Sequence, residues 1–468
     1  MLGEQKLKAI ARKVLRYSKA DLPAGKAGVA EVLLFVSDNG LTRFANSQMH
    51  QNVAHEDLGL SVRIVLRNPS TRSARSGRAS ARIGVASGNS FEDSALKKVV
   101  RNAEALARVQ KEDPYFKGLP RVSKVSKVSK VSKVIKQATA EERAKAVSII
   151  IKRAKEKGIV ASGAYDSSIT EVVVANSNGV FAYHAGGASD LSTILLGKDS
   201  TGFGASLAKD PKDVDPEKVA KQAIDKVLMG TKPKDLKPGI YEVILEPQAV
   251  NEVISFFAWL GPNARLYHEK ASNFSGKLGK RVFGKNITIV DDPLDQTGFP
   301  MPFDFEGYPK KRLLIVEDGK LVNLCYDSYN AARFGAKNTG HALPAPNTSG
   351  PIPLHLRIKP GKKTLEQMIK SVKKGLLVTR LWYVRFLNPR SMAITGMTRD
   401  GTFLIENGKI KHAVKNLRFN QSIPEALNNV VAVGKDLENL ASFETELGTN
   451  KMPALHIKKW NFTSSTEF

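Results

Sequence analysis

Arg312-Leu-Leu-Ile-Val-Glu-Asp-Gly-Lys-Leu-Val-Asn-Leu-Cys-Tyr326 is a β-rich run, a break and a second β-rich run. Glu317-Asp318-Gly319 supplies the backbone freedom of a tight turn, so the stretch predicts two antiparallel strands over 312–316 and 321–326. Working upstream, strands are expected over 287–291 and 241–245, with a helix over 249–259 between them. Downstream, Thr364 and Gln367 cap a helix bearing Leu365, Met368, Ile369 and Val372, and Gly375 is placed to end it. Short strands then follow with turns expected at Thr398-Arg-Asp-Gly401 and Glu406-Asn-Gly408. Trp382 and Tyr383, within one of these strands, are expected in the core.

The first half reads in the same way. Leu7, Ile10, Ala11, Val14 and Tyr17 share one helical face over 4–18. A hairpin is expected over 30–44 around Asp38-Asn39-Gly40, and a similar one over 170–183 around Asn176-Ser-Asn-Gly179, a weak sign of duplication. Strands are expected over 60–66 and 79–86. Ser90 with Asp93 forms a capping box before Leu96, Val99, Val100, Ala103 and Leu106. Thr139 with Glu142, and Asp215 with Pro216, open two further helices.

Helices beside many short hairpin-linked strands make the fold class α+β, with antiparallel-rich mixed sheets. No Gly-rich phosphate loop stands between a strand and a helix. The length of 468 residues calls for two domains. Lys232-Pro-Lys-Asp-Leu-Lys-Pro-Gly239 is the best boundary, dividing 1–235 from 236–468.

A composition of 42% hydrophobic and 25% charged residues is that of a globular chain. No apolar run of membrane-spanning length occurs, the N-terminus lacks a signal-like apolar region, and a single cysteine fits a reducing interior. The expectation is a cytoplasmic protein with no membrane partner. The net charge of +27 favours acidic partners, nucleic acid first. Much of the excess lies in two tracts, an Arg/Ser loop (Arg67, Arg72, Arg75, Arg78, Arg82) and a Val-Ser-Lys repeat over 121–136. Neither interleaves aromatics as base-stacking surfaces do, so both read as solvated loops, the repeat as an extended or disordered linker.

His268-Glu269 is the pair with the clearest chemistry, because a histidine followed by a glutamate is half of a metallopeptidase motif. The chain resembles the TldD/TldE (PmbA) family of zinc peptidases and gyrase modulators. The resemblance is carried in the first half by Leu41-Thr-Arg-Phe-Ala-Asn-Ser-Gln48 and Asp113-Pro-Tyr-Phe-Lys-Gly-Leu-Pro120. It continues in Val290-Asp-Asp-Pro293, Asp304-Phe-Glu-Gly307 and Asp327-Ser-Tyr-Asn-Ala-Ala-Arg-Phe-Gly335. Asn338-Thr-Gly340 and Ile394-Thr-Gly-Met-Thr-Arg-Asp-Gly-Thr-Phe-Leu-Ile-Glu-Asn-Gly408 complete it. Against this pattern, 67–79 and 121–136 look like local insertions.

The resemblance implies that TldD-type chains hold zinc through a His-Glu-x-x-x-His helix motif and a later cysteine, with the glutamate activating the bound water. TldE-type chains share the fold, lack the ligands and pair with a TldD chain. If the motif began at His268, with Glu269 catalytic, its second histidine would fall at Asn273. Cys325 is the only cysteine and lies within the expected hairpin, read as a small buried apolar residue. His341, His355 and His412 have no paired ligand spacing. The chain is therefore expected to be nearest the TldE/PmbA-like branch, without zinc of its own, acting in proteolysis of peptides or unfolded segments. The expected partner is a second copy or a TldD-like chain. Two alternatives stay open: a peptidase with a rebuilt metal site, and a basic nucleic-acid-associated protein.

Ordinary readings accompany the remaining candidates. Asp291-Asp292 before Pro293 reads as a turn rather than paired carboxylates. Asp304 and Glu306 read as turn residues before Gly307. Asn338, Thr339 and Gly340 form a loop whose glycine permits close approach of a peptide backbone. Arg399 reads as part of a hairpin turn.

Overall fold

The computed structural model describes residues 1–20, 28–72, 79–121, 135–441 and 448–466. The Val-Ser-Lys repeat from Val122 to Lys133 and the centre of the Arg/Ser loop lie outside the described residues. The first half contains α1 (Glu4–Ala20), β1 (Gly28–Ala45), β2 (Gln48–Arg72), β3 (Ala79–Gly88) and α2 (Asp93–Val109). It continues with α3 (Ala140–Lys155), β4 (Val160–Asn176), β5 (Phe181–Leu196), β6 (Thr201–Ala208) and α4 (Pro216–Met229). Its strands form one antiparallel sheet in the order β3-β2-β1-β4-β5-β6.

The second half opens with β7 (Gly239–Leu245), α5 (Pro247–Leu260), α6 (Ala264–His268), β8 (Ile289–Asp291), β9 (Leu313–Glu317) and β10 (Lys320–Leu321). Next come α7 (Ser328–Phe334), β11 (Leu356–Ile358), α8 (Leu365–Lys370), β12 (Lys374–Asn388), β13 (Ala393–Glu406) and β14 (Lys409–Ala413). It ends with β15 (Leu417–Ser422), α9 (Ile423–Asn428), β16 (Val430–Val433), β17 (Glu438–Ala441), β18 (Thr449–Met452) and β19 (Leu455–Ser465). One sheet runs β10-β9-β8-β11-β18-β17. The other runs β12-β7-β19-β15-β13 and closes on itself through β12–β13 pairing, with β14 and β16 attached. The α+β class holds, and the sheets are largely antiparallel. Among the described residues no helix is long and apolar enough to cross a membrane.

Helices α1 and α2 bury Leu7, Ala11, Val14, Leu96 and Val100 against Val32, Leu34, Val62 and Ile64 of the first sheet. From the opposite direction, Leu33, Val172 and Val174 join the main core of the second half, where Phe35 meets Phe305 at 6.0 Å. The two halves are thus welded by apolar burial rather than by a linker alone.

Several local expectations give way to pairing. Asp38-Asn39-Gly40 makes no turn: β1 runs straight through it, paired with His55 and Ala54 on one side and Ser168 and Ser167 on the other. The turn lies at Asn46-Ser47, both at positive φ. Gly40 is needed instead for room, since a Cβ there would overlap the buried Arg143 guanidinium. Thr398-Arg-Asp-Gly401 is likewise no turn but an irregularity inside β13, where Asp400 (φ 56°) and Gly401 (φ 133°) shift the register with β12. Ser90 bonds the Glu92 N–H and leaves α2 without a side-chain cap. Gly375 lies in β12, because α8 already ends at Lys370. The opening hairpin forms as β9–β10 around Asp318-Gly319, but its second strand is only two residues long. Beyond it Cys325 turns away to bond the Pro262 carbonyl at 2.7 Å.

Candidate functional site

His268 closes the five-residue helix α6, started by the Asn263 side chain accepting from Leu266 N–H. Its ring stacks on Phe334 of α7 at 4.2 Å, and its Nε2 lies 2.9 Å from the Tyr326 hydroxyl. Burial holds its pKa below the ordinary value. Glu269 is held by Arg333 at 2.7 Å and Arg265 at 3.2 Å. Burial pushes this carboxylate up, but the two arginines outweigh it and the net shift is downward. Asn273 accepts from Lys277 at 3.0 Å, so the expected second-histidine position faces an ammonium group.

Thr339 joins this neighbourhood, its hydroxyl accepting the Tyr326 N–H at 2.7 Å. Asn338 bonds Ser328 at the start of α7, and its other end caps Gly340 N–H, where φ is 78°. Asp304 is buried and accepts the Glu306 and Tyr308 N–H groups, which is turn chemistry, and also the Ala342 N–H from a distant loop. Glu306 goes further and meets Arg63 of the first half at 3.2 Å. Arg399 lies apart from all of these, on β13.

Asp291 is not a turn residue. It is fully buried, accepts from His355 N–H at 2.8 Å and sits 3.2 Å from His341 Nε2. Burial pushes its pKa up, but Lys310 and the two histidines outweigh burial and keep the carboxylate well below its usual range. Lys310, itself buried, reaches to 3.3 Å from His355 Nδ1 and 4.0 Å from Asp291. The Lys310 side chain therefore packs directly against this Asp–His cluster, where a metal ion would need to sit. Sequence spacing carries no sign of the cluster: β8–β11 pairing sets Asp291 beside the His355 backbone, and Lys310 and His341 reach it from loops.

A cleft also lies between the two halves. A cavity of about 510 Å³ is bordered by β5 and β6, by α4, by Asn251 and Glu252 of α5, and by β17. Among the described residues, strands β6 and β17 each terminate their own sheet, and both border the cleft. Glu252 is pushed up to about 7 by burial, against the opposing pull of Arg380 and Arg385. Asp190 is pushed up to about 6 by burial, with Asp166 adding to the shift. On α5, Asn251-Glu252-Val253-Ile254-Ser255-Phe256 has the spacing of a His-Glu-x-x-x-His helix motif, with Asn251 and Phe256 at the histidine positions.

From the C-terminal strands, Asn450 Nδ2 donates to Asn251 Oδ1 at 2.9 Å and approaches Ser255 Oγ at 3.4 Å. Asn251 in turn donates to the Ala441 carbonyl at 2.8 Å. A catalytic zinc needs three imidazole, thiolate or carboxylate ligands converging on one point. Amides bonded to one another and a phenyl ring do not fit that ion, and neither does the single imidazole of His268.

Family models match nearly the whole chain: PmbA/TldA metallopeptidase domain 1 over 30–107, the central domain over 124–230 and the C-terminal domain over 238–464. The chain belongs to the PmbA/TldD family. It is 26% identical to the metalloprotease PmbA homolog of Haemophilus influenzae, over 90% of this chain and 91% of that one. It is 25% identical to metalloprotease PmbA of Escherichia coli O157:H7, over 68% of this chain and 69% of the relative. The fold is shared with TldE from Thermococcus kodakarensis, at a TM-score of 0.81 and 20% identity over 97% of this chain and 100% of that one. A candidate modulator of a DNA gyrase from Thermotoga maritima gives a TM-score of 0.78 at 18% identity, covering 98% and 100%. Helix α5 is the longest helix of the second half among the described residues, and it borders the cleft between the halves.

Proposed function

We propose that this chain is the TldE-like member of a PmbA/TldD assembly, a subunit without catalytic zinc that receives an extended peptide segment and works with a zinc-bearing TldD-like partner. The observation that supports this most directly is the filling of the α5 motif by the Asn251–Asn450 amide pair. Hydrogen-bonded amides are a stable substitute for a metal, because each satisfies a buried polar partner that an empty ligand sphere would leave bare. The two sheet-terminal strands, β6 and β17, suit an unfolded segment that pairs through its backbone whatever its side chains. Glu252 keeps a carboxyl group in the cleft without the ligands needed to direct it at a metal-bound water.

The test is metal content and assembly mass of the purified chain, alone and with a family member carrying the complete His-Glu-x-x-x-His motif. The expected result is sub-stoichiometric zinc and no peptide cleavage for the chain alone, and a mixed assembly that cleaves unfolded peptides. One zinc per chain together with cleavage by the chain alone would overturn the proposal.

A further inference from the structure

A second cavity, of about 610 Å³, opens between the β5–β6 turn, the crossover at Gly230–Pro233 and the face of β13. Its rim carries Lys198, Lys232 and Arg399, and among the described residues none of the three has a carboxylate partner. The acidic groups nearby are already engaged. Asp199 accepts the Lys232 N–H at 2.9 Å, and Asp400 is buried 3.0 Å from Arg380. The cavity therefore carries a surplus of positive charge, which the described residues do not neutralise.

An aromatic ring stands beside it. Met397 and Arg399 both line the cavity and are two residues apart on β13, so they share a face. Trp382 of β12 is the direct cross-strand partner of Met397 and lies on the same face. Its ring is 45% exposed, with the Arg399 guanidinium 5.2 Å from its centroid. Tyr383 follows at 62% exposure, paired with Arg385 at 4.7 Å. Both aromatics were expected in the core; a register shift in β12 after Trp382, with Tyr383 at positive φ, turns them outward instead. From Gln367 to Arg399 the chain carries no Asp or Glu. The interleaving of arginine with exposed aromatics that the basic loop tracts lack is present here.

We propose that this cavity and Trp382 together form a nucleotide-binding site, which seats phosphate among Lys198, Lys232 and Arg399 and stacks the base against the indole. Unpaired lysine and arginine side chains recognise phosphate by charge and hydrogen bonding, and an exposed indole accepts any base by its π-face. A cavity of several hundred Å³ holds the phosphate and sugar of one nucleotide. Trp, Tyr and Arg also anchor protein interfaces. The cavity's two carboxylates are already engaged, Asp199 by the Lys232 N–H and Asp400 by Arg380, and the surplus of cations favours a phosphate-bearing ligand over a protein surface. The same chemistry is offered by a free nucleotide and by one residue of a single strand.

Of the three tryptophans, Trp460 is fully buried and Trp259 partly buried, so Trp382 is the one whose emission a stacked base can quench. The full chain is titrated at low salt with thymidine monophosphate, with a ten-residue oligothymidylate and with inorganic phosphate. Emission follows the wild type, and anisotropy of labelled ligand follows the variants. Both thymidine ligands are expected to quench and inorganic phosphate to compete without quenching. Equal affinity for the two assigns the site to free nucleotide, and a strong preference for the oligomer assigns it to a single strand. Trp382→Leu should weaken binding roughly fivefold to a hundredfold. The Lys198→Ala, Lys232→Ala double variant should weaken it on the order of tenfold or more, whereas Lys157→Ala, removing one exposed charge elsewhere, should not. The proposal fails if neither ligand quenches, or if binding survives the Trp382 and double-lysine variants unchanged. It also fails if these variants alter assembly mass while leaving nucleotide affinity intact, which would mark an interface between subunits.

Discussion

Replacing Arg63 by methionine tests how the two halves are held together. The Arg63 guanidinium sits 2.7 Å from Glu31 and 3.2 Å from Glu306, and side-chain exposures of 11%, 5% and 7% place all three out of water. Glu31 lies on β1 and Arg63 on β2, while Glu306 belongs to the second half and also accepts Ser328 N–H at 3.1 Å. Methionine keeps the volume and removes the charge, leaving two carboxylates buried near one another. Breaking a buried pair in this way costs about 3–5 kcal/mol. The loss should depend on pH. Burial already pushes Glu31 up to about 7, with Arg63 pulling it down. Without Arg63 the folded carboxyl holds its proton to still higher pH, while the unfolded one releases it near its ordinary value of 4.5. Between those values the folded state binds more protons, so stability falls as pH rises. Urea unfolding followed by circular dichroism should show a small cost at about pH 5.5 and the full cost at about pH 8, with Glu31→Gln added to Arg63→Met recovering part of it. A loss under about 1 kcal/mol at the higher pH, or one that does not shrink on acidification, would refute the reasoning.

Phe257→Ala, which empties a fully buried position packed against Phe274 and Phe283, should cost about 3–5 kcal/mol by the same unfolding measurement. Gly401→Ala places a Cβ against the Thr379 hydroxyl and the Phe403 ring at a φ of 133°, and should cost about 1–3 kcal/mol, read as a lower thermal midpoint. His184 is held down to about 4 by burial, so its folded pKa lies below the unfolded 6.5. Its contribution to stability is therefore present above about 6.5 and lost as pH falls toward 4, and its ring signals in NMR should not titrate between pH 7 and 5.

Most helices were legible because their signals are local. Thr139 with Glu142 and Thr364 with Gln367 form the expected capping boxes in both directions. Asp215 caps α4 ahead of Pro216 as its sequence suggests. Strand signals failed where neighbours outvoted the turn residues. Asp38-Asn39-Gly40 has every local reason to turn, yet it is paired on both sides, and the hydrogen bonds of two ladders exceed the preference of three residues. Thr398-Arg-Asp-Gly401 is pinned in β13 for the same reason, its freedom spent on an internal irregularity.

The site was less legible than the fold. His268-Glu269 has the residue types of half a metallopeptidase motif, but its partners are Tyr326 and, from α7, Arg333 and Phe334. The signal that could have found the cleft was Asn251-Glu252 on an apolar helix. An acidic side chain beside ten buried neighbours on one helix needs an explanation that packing does not provide. Asn450 could not have been joined to it from sequence, because the contact spans almost the whole second half.

The closed sheet of the second half imposes an order of events on the chain. Its first strand, β7, pairs with its last, β19: Leu245 lies opposite Leu455 and Gly239 opposite Phe462. Until residues 455–465 have been synthesised, β7 and β15 each wait with an exposed edge, through the production of every element between them. The first half has no such dependence, since among the described residues each of its strands pairs only with strands of that half. A ribosome making this protein would therefore release one half already folded while the other still lacked its closing strand, and that interval is when the second half is most open to chaperones, proteases and misassociation.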